Sequence, residues 1–98
     1  MKHEPRFDAV IHAPLRLQIC GILTSIQQAE FGVVRDSLGV SDSVLSKHVR
    51  TLNEAGYVSM RKATMSGRVH TWLSLTKDGK KAFAAHVAEL QRLAGVSA

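Results

Sequence analysis

The stretch Asp42–Val58, DSVLSKHVRTLNEAGYV, decides how the rest of the chain is read. Leu45, Val49 and Leu52 recur at i, i+4 and i+7 and form one apolar stripe of a helix, with His48 at its margin. On the opposite side Ser43, Ser46, Lys47, Arg50 and Glu54 make a polar face without bulky apolar groups. Ser41 is placed to cap the helix and Asp42 to sit in its first turn, where the dipole favours a carboxylate. Gly56 ends it, and Tyr57 is placed to fold back on Leu52 in a Schellman cap. The prediction is a helix over Asp42–Ala55 with one side for the core and a small, hydroxyl-bearing, cationic side for solvent.

Upstream, Phe31, Val34 and Leu38 predict a short helix over Phe31–Leu38, ended by Gly39, with Val40 buried in the turn. Before a polar break at Gln27–Glu30, Pro14 suits the first position of a longer helix. Leu15, Ile19, Ile22, Leu23 and Ile26 give that helix a core stripe, and Leu17, Cys20, Gly21 and Thr24 leave it a second face to cover. Downstream, Tyr57–Lys62 and Val69–Leu75 are rich in β-branched and aromatic residues. They read as a hairpin, with Ser66 and Gly67 turning the connection Ala63–Arg68. Thr76 caps a last helix with Asp78 in its first turn, and Phe83, Val87, Leu90 and Ala94 repeat along it. The fold class is mainly α with a small β-hairpin, in the order helix, helix, helix, hairpin, helix.

The 98 residues suit one domain, read as a short N-terminal tail over 1–7 and a globular body. Hydrophobic residues at 45% and charged residues at 21% are a globular balance, and no apolar run approaches the roughly 20 residues that span a bilayer. No signal peptide is read at Met1–Asp8, and the single cysteine excludes an internal disulfide. The chain therefore reads as cytoplasmic and nucleoid-associated. Its net charge of +5 biases the surface toward polyanions.

Two helices joined by a short glycine turn and followed by a basic hairpin form the arrangement that presents one helix to a DNA major groove. Over Ser41–His70 the cations Lys47, Arg50, Arg61, Lys62 and Arg68 face only the acids Asp42 and Glu54, so more than half of the net positive charge lies in under a third of the chain. His70 adds a further group on the hairpin. Taken singly, Lys47 or Arg50 on a helix is more often just solvated, and charged hairpin residues also discourage strand pairing. The joint arrangement outweighs those separate explanations.

The run Leu45–Val58 resembles the reading helix and first wing strand of bacterial MarR-like and ArsR-like winged-helix regulators. Thr71–Gly79, TWLSLTKDG, resembles the end of the wing and start of the final helix in the same families, and the likeness runs from about Asp8 to Leu93. The resemblance implies a single winged helix-turn-helix domain with an additional C-terminal dimerisation helix over about 77–94. It implies a homodimeric repressor reading a palindromic site, with helix 42–55 in the major groove and wing 57–75 alongside. By position it carries DNA contacts onto Ser43, Val44, Ser46, Lys47 and Arg50 of the helix and Arg61, Lys62 and Arg68 of the wing. Ala13 departs from the polar cap common before the helix-opening proline.

A final helix with an apolar stripe has little chain left to cover it. Leu17, Cys20, Phe83, Val87, Leu90 and Ala94 are therefore expected at a homodimer interface. A small-molecule effector, if one acts, is expected between the Pro14 helix, the last helix and the partner subunit. Cys20 reads as packing rather than a redox sensor, and Trp72 as an anchor of the hairpin to the helices. His3, His12, His48, His70 and His86 show no i, i+4 pair and no accompanying ligand pattern, so no metal and no cofactor are expected. The acids are scattered and no nucleophile has a base beside it, which argues against an enzyme. The rival is a winged helix serving as a protein interaction module without specific DNA binding.

Overall fold

Three helices open on a side chain that accepts from the otherwise unpaired amides of the first turn. Asp8 Oδ1 accepts from Val10 and Ile11, Ser41 Oγ from Val44, and Thr76 Oγ1 from Gly79. These caps set the frame of the computed structural model, which describes residues 7–95; of the expected tail 1–7 only Phe7 is therefore described, and His3 lies outside the described residues. In chain order the elements are α1 (Ala9–His12), α2 (Pro14–Ser25), β1 (Ala29–Glu30), α3 (Phe31–Leu38), α4 (Asp42–Glu54), β2 (Val58–Met65), β3 (Arg68–Leu75) and α5 (Lys77–Leu93).

The α3–α4 unit forms as its residues dictate. Gly39 takes the left-handed conformation at φ 66°, and its amide and that of Val40 close back on α3. At the far end of α4 the Tyr57 amide reaches Leu52 O and the Gly56 amide reaches Asn53 O, both at 2.9 Å. That is the Schellman pairing expected from Gly56 and Tyr57. Leu45, Val49 and Leu52 are buried, and full burial of such a side chain contributes on the order of 1.5–3 kcal/mol. They join Ile11, Ile19, Cys20, Leu23, Val34, Val58, Leu73 and Leu75 in one core.

The sheet is antiparallel in the order β1-β3-β2. Its hairpin is longer than the sequence reading, because pairing continues from Val58↔Leu75 out to Met65↔Arg68. Only Ser66 and Gly67 turn, both at positive φ, 53° and 76°. A two-residue turn of this kind matches the strand twist, so the ladder has no reason to open earlier. The polar break Gln27–Glu30 holds a strand that its composition does not announce: Ala29 and Glu30 of β1 pair with Leu73 and Trp72, and Ala29 is buried. Strand parity also corrects the reading of Trp72: its neighbour Leu73 fills the core side, so the indole lies on the outer face of the sheet and does not anchor the hairpin to the helices.

Two helices are rotated from their expected stripes. On α2 the buried positions are Ile19, Cys20 and Leu23, while Ile26 caps the end of the helix and is 46% exposed. On α5 the buried positions are Gly79, His86 and Glu89. Phe83 packs beside them, its ring tip 4.0 Å from where a Cβ on Gly21 would stand. The stripe Phe83, Val87, Leu90 and Ala94 is thus turned partly away from the subunit's own core.

Candidate nucleic-acid interface

The solvent side of α4 presents Ser43, Val44, Ser46, Lys47 and Arg50, all exposed. The side chains around its start are fixed by local chemistry. Ser41 Oγ caps the helix and stands 3.2 Å from Ser43 Oγ. Arg35 on α3 donates to Asp42 at 2.8 Å and to Asp36 at 2.9 Å. Those carboxylate partners push the Arg35 guanidinium above its already high range, and Arg35 holds Asp36 below the usual carboxylate range. The carboxylate of Asp42 is therefore neutralised from within the motif, which leaves the leading end of α4 acceptable to a polyanion.

Behind the helix, Arg16 on α2 donates to His48 Nδ1 at 3.1 Å and also to the Val10 carbonyl. Burial, then Arg16 and Lys47, hold the His48 imidazole below its ordinary range. His48 thus acts as a neutral acceptor that fixes α4 against the helices behind it.

Between α4 and the wing lies an open groove of about 650 Å³, lined by Phe31, Asp42, Ser46, Val49, Arg50, Met60, Lys62 and Thr71. Apolar Phe31, Val49 and Met60 line it together with the cations Arg50 and Lys62 and with Asp42, which is paired to Arg35. It lies between the helix and the wing.

Strand parity sorts the wing residues. Met60, Lys62 and Thr71 face this groove. Arg61 pairs in register with Trp72, which pairs with Glu30, so these three share the outer face. There Arg61 donates to Gln28 Oε1 at 3.2 Å. His70 meets the Glu30 carboxylate on the same face, and both side chains are less than a third exposed. The assignment of His70 to DNA is corrected on that ground: it has a carboxylate partner within the sheet and faces away from α4. Arg68 opens β3 next to the turn and is exposed at the wing tip beside Val69. The structure therefore brings together Ser46, Arg50 and Lys62, and separates Arg61 and His70 from them. The contribution of Glu30 and Gln28 could have been found only by recognising β1, whose two residues carry no periodic signal.

The surface expected at a dimer interface divides as well. Cys20 is wholly buried in the core of its own subunit, so it offers nothing to a partner; burial, aided by Asp8, pushes its thiol up to about 11. Leu17 and Phe83 are half-buried and pack on that same core. Val87 and Leu90 are half-buried on α5, Ala94 is exposed, and Leu93, which was not expected there, is 59% exposed. Among the described residues no helix is long and apolar enough to cross a membrane.

The sequence profile of the winged helix DNA-binding domain family matches residues 15–94. An uncharacterized protein of Methanocaldococcus jannaschii is 29% identical over 84 residues, which cover 86% of this chain and 91% of that protein. Among solved structures, a transcriptional regulator homologue from Pyrococcus horikoshii superposes with a TM-score of 0.82 at 23% identity, over 88% of this chain and 85% of that one. A structure described as a regulator of the MarR family from Enterococcus faecalis gives a TM-score of 0.75 at 18% identity, over 89% and 77%. At such identities the structural likeness speaks for the fold.

Proposed function

The chain belongs to the winged helix DNA-binding domain family, and on that footing we propose that it is a transcriptional regulator that binds duplex DNA as a homodimer and represses by occupying a palindromic site. Helix α4 enters the major groove. Ser43, Val44, Ser46 and Lys47 meet base edges there, and Arg50 and Lys62 meet phosphates. Arg68 serves the wing tip. The observation that carries this reading is the joint exposure of Ser43, Ser46, Lys47 and Arg50 on one rigid helix, beside Lys62 across a shared groove. Hydroxyls and a lysine allow close approach to base edges, and the cations lining the groove supply attraction that does not depend on sequence. The fold offers binding chemistry, and the reading is of a regulator rather than an enzyme.

The homodimer rests on α5, where Val87, Leu90, Leu93 and Ala94 leave apolar surface. A twofold arrangement sets two reading helices about 34–36 Å apart, one turn of duplex. Selection of bound fragments from random duplexes tests the whole reading: an inverted repeat with half-sites one turn apart is expected. Binding whose affinity is flat between about 50 and 200 mM salt would overturn it and favour a protein partner, because phosphate contacts make affinity fall steeply over that range.

A further inference from the structure

The DNA-binding reading leaves a buried polar cluster at the other side of the molecule unused. His86 on α5 is fully buried, and its Nδ1 accepts the backbone N–H of Asp8 at 2.9 Å. A nitrogen that accepts carries a lone pair, so the neutral ring keeps its proton on Nε2, which donates to His12 Nδ1 at 3.2 Å. Phe7 closes over both imidazoles, its ring centroid 4.5 Å from that of His12 and 5.0 Å from that of His86. Asp8 is thereby a junction. Its amide goes to α5, its Oδ1 caps α1, and its Oδ2 accepts the Tyr57 hydroxyl at 2.6 Å. Tyr57 directly follows the glycine that ends α4.

A proton on Nδ1 would set two donors against each other at the distance of a hydrogen bond. The docked segment and a charged His86 therefore exclude one another. We propose that His86 is an acid-sensitive latch: on taking a proton from water at Nδ1 it expels the Asp8 amide and releases Phe7–His12 from α5, and with Asp8 goes the tie to the foot of the reading helix.

The groups facing His86 set the direction. Burial, and next the His12 ring on α1, hold it below its ordinary range, while the carboxylates of Asp8 and of Glu89 on α5 pull the other way. Both oxygens of Asp8 are already engaged by the α1 amides and Tyr57, and Glu89 is paired with Arg92. On α2 the nearest cation, Arg16, is turned to Val10 and His48, and the Cys20 thiol stays protonated. The docked ring is thus neutral where the released ring would be charged. Docking is complete above about pH 6.5, and the opening equilibrium rises by up to about tenfold per pH unit below it.

Amide exchange of residues 8–12 in the full chain, corrected for the intrinsic rate, tests this at pH 7.5, 6.5 and 5.5. Opening up to about fivefold greater at pH 5.5 than at 6.5, and up to about tenfold greater than at 7.5, is expected. His86→Asn sets a neutral acceptor at the Nδ1 position and is expected to keep protection at all three values. A wild-type chain equally protected throughout, or an asparagine variant that opens with acid as the wild type does, overturns the proposal. Should that variant fail to fold, the ring nitrogen shifts of wild-type His86 decide: an Nε2–H tautomer titrating below about 6.5 supports it, and an Nδ1–H tautomer or a higher midpoint overturns it. The consequence for the reading helix rests on the DNA-binding function proposed above. The exchange measurement needs no DNA, so failure of the latch and failure of that function are told apart.

Discussion

Replacing Gly79 by alanine tests the tightest glycine contact among the described residues. Gly79 lies in the first turn of α5, buried and in ordinary helical conformation, so its backbone angles do not call for glycine. Space does. A Cβ built there stands 2.1 Å from the Tyr57 carbonyl oxygen and 2.9 Å from the carbonyl carbon. That carbonyl is held in place by the Thr76 amide at 2.9 Å, and Thr76 Oγ1 donates to Gly56 O beside it at 2.6 Å. Restoring an ordinary carbon–oxygen contact of about 3.3 Å moves α5 away from the foot of α4 by about 1 Å. Overpacking costs on the order of 1–3 kcal/mol, and an overlap with a backbone carbonyl held in place belongs in the upper half of that range, so after the roughly 1 kcal/mol by which alanine outranks glycine in a helix about 1–2 kcal/mol of destabilisation remains. In a domain of this size each kcal/mol moves Tm by about 4–8 °C, so Gly79→Ala is expected to lower it by roughly 5–15 °C. Gly21→Ala is the matched control: its Cβ meets only the Phe83 ring at 4.0 Å, an ordinary contact, so helix propensity acts alone and Tm rises by a few degrees, about 0.5–1 kcal/mol. Thermal melts followed by far-UV circular dichroism at one fixed protein concentration give both numbers. If Gly79→Ala melts at or above the parent temperature, the contact of α5 with Tyr57 does not hold the two elements together as argued.

Further expectations follow from the same geometry. Tyr57→Phe removes the hydroxyl that donates to Asp8 and lowers stability by about 1–2 kcal/mol in urea denaturation; no change would show that solvent replaces the bond without cost. That same bond pushes the Tyr57 hydroxyl up to about 12, and burial raises the Cys20 thiol to about 11. Both groups hold their protons more tightly when folded, so their contribution is intact below the unfolded values and is lost as pH rises above about 9. Reaction of Cys20 with a thiol reagent at pH 8 is expected to follow unfolding, and rapid labelling of the native chain would contradict its burial. Arg50→Ala is expected to weaken binding to all duplexes and reduce the salt slope by about 1, whereas Lys47→Ala costs about 1–3 kcal/mol on the selected site alone. Leu90→Asp is expected to give monomers by light scattering, and an intact dimer would place the interface away from α5.

How much of this was legible in the sequence depends on whether a residue's partner lies within one turn or across the fold. Ser41, Gly56 and Tyr57 act on neighbours a few positions away, so the bounds and caps of α4 follow from spacing alone. Asp8 and His86 are 78 residues apart and Glu30 and His70 are 40 apart, and no periodicity announces either pair. His86 and Glu89 also read as polar positions of an amphipathic helix. They bury because Asp8 and His12 satisfy the ring and Arg92 satisfies the carboxylate, which let α5 rotate away from its apolar stripe.

The wing carries the sharper lesson for function. A count of Arg61, Lys62, Arg68 and His70 treats four groups as one basic patch, yet a strand sends consecutive side chains to opposite faces. Once the register Arg61↔Trp72 and Lys62↔Thr71 is fixed, only Lys62 of the adjacent pair can share a groove with Ser46 and Arg50. Arg61 is committed to Gln28 and His70 to Glu30 on the far side. Shifting the ladder by one residue would exchange these roles, and what prevents the shift is apolar: Val58, Leu73 and Leu75 are buried on the core side and would be driven into solvent. The charge that meets a nucleic acid is therefore selected by hydrophobic register, and the basic composition of the hairpin only sets how many candidates that register has to choose from.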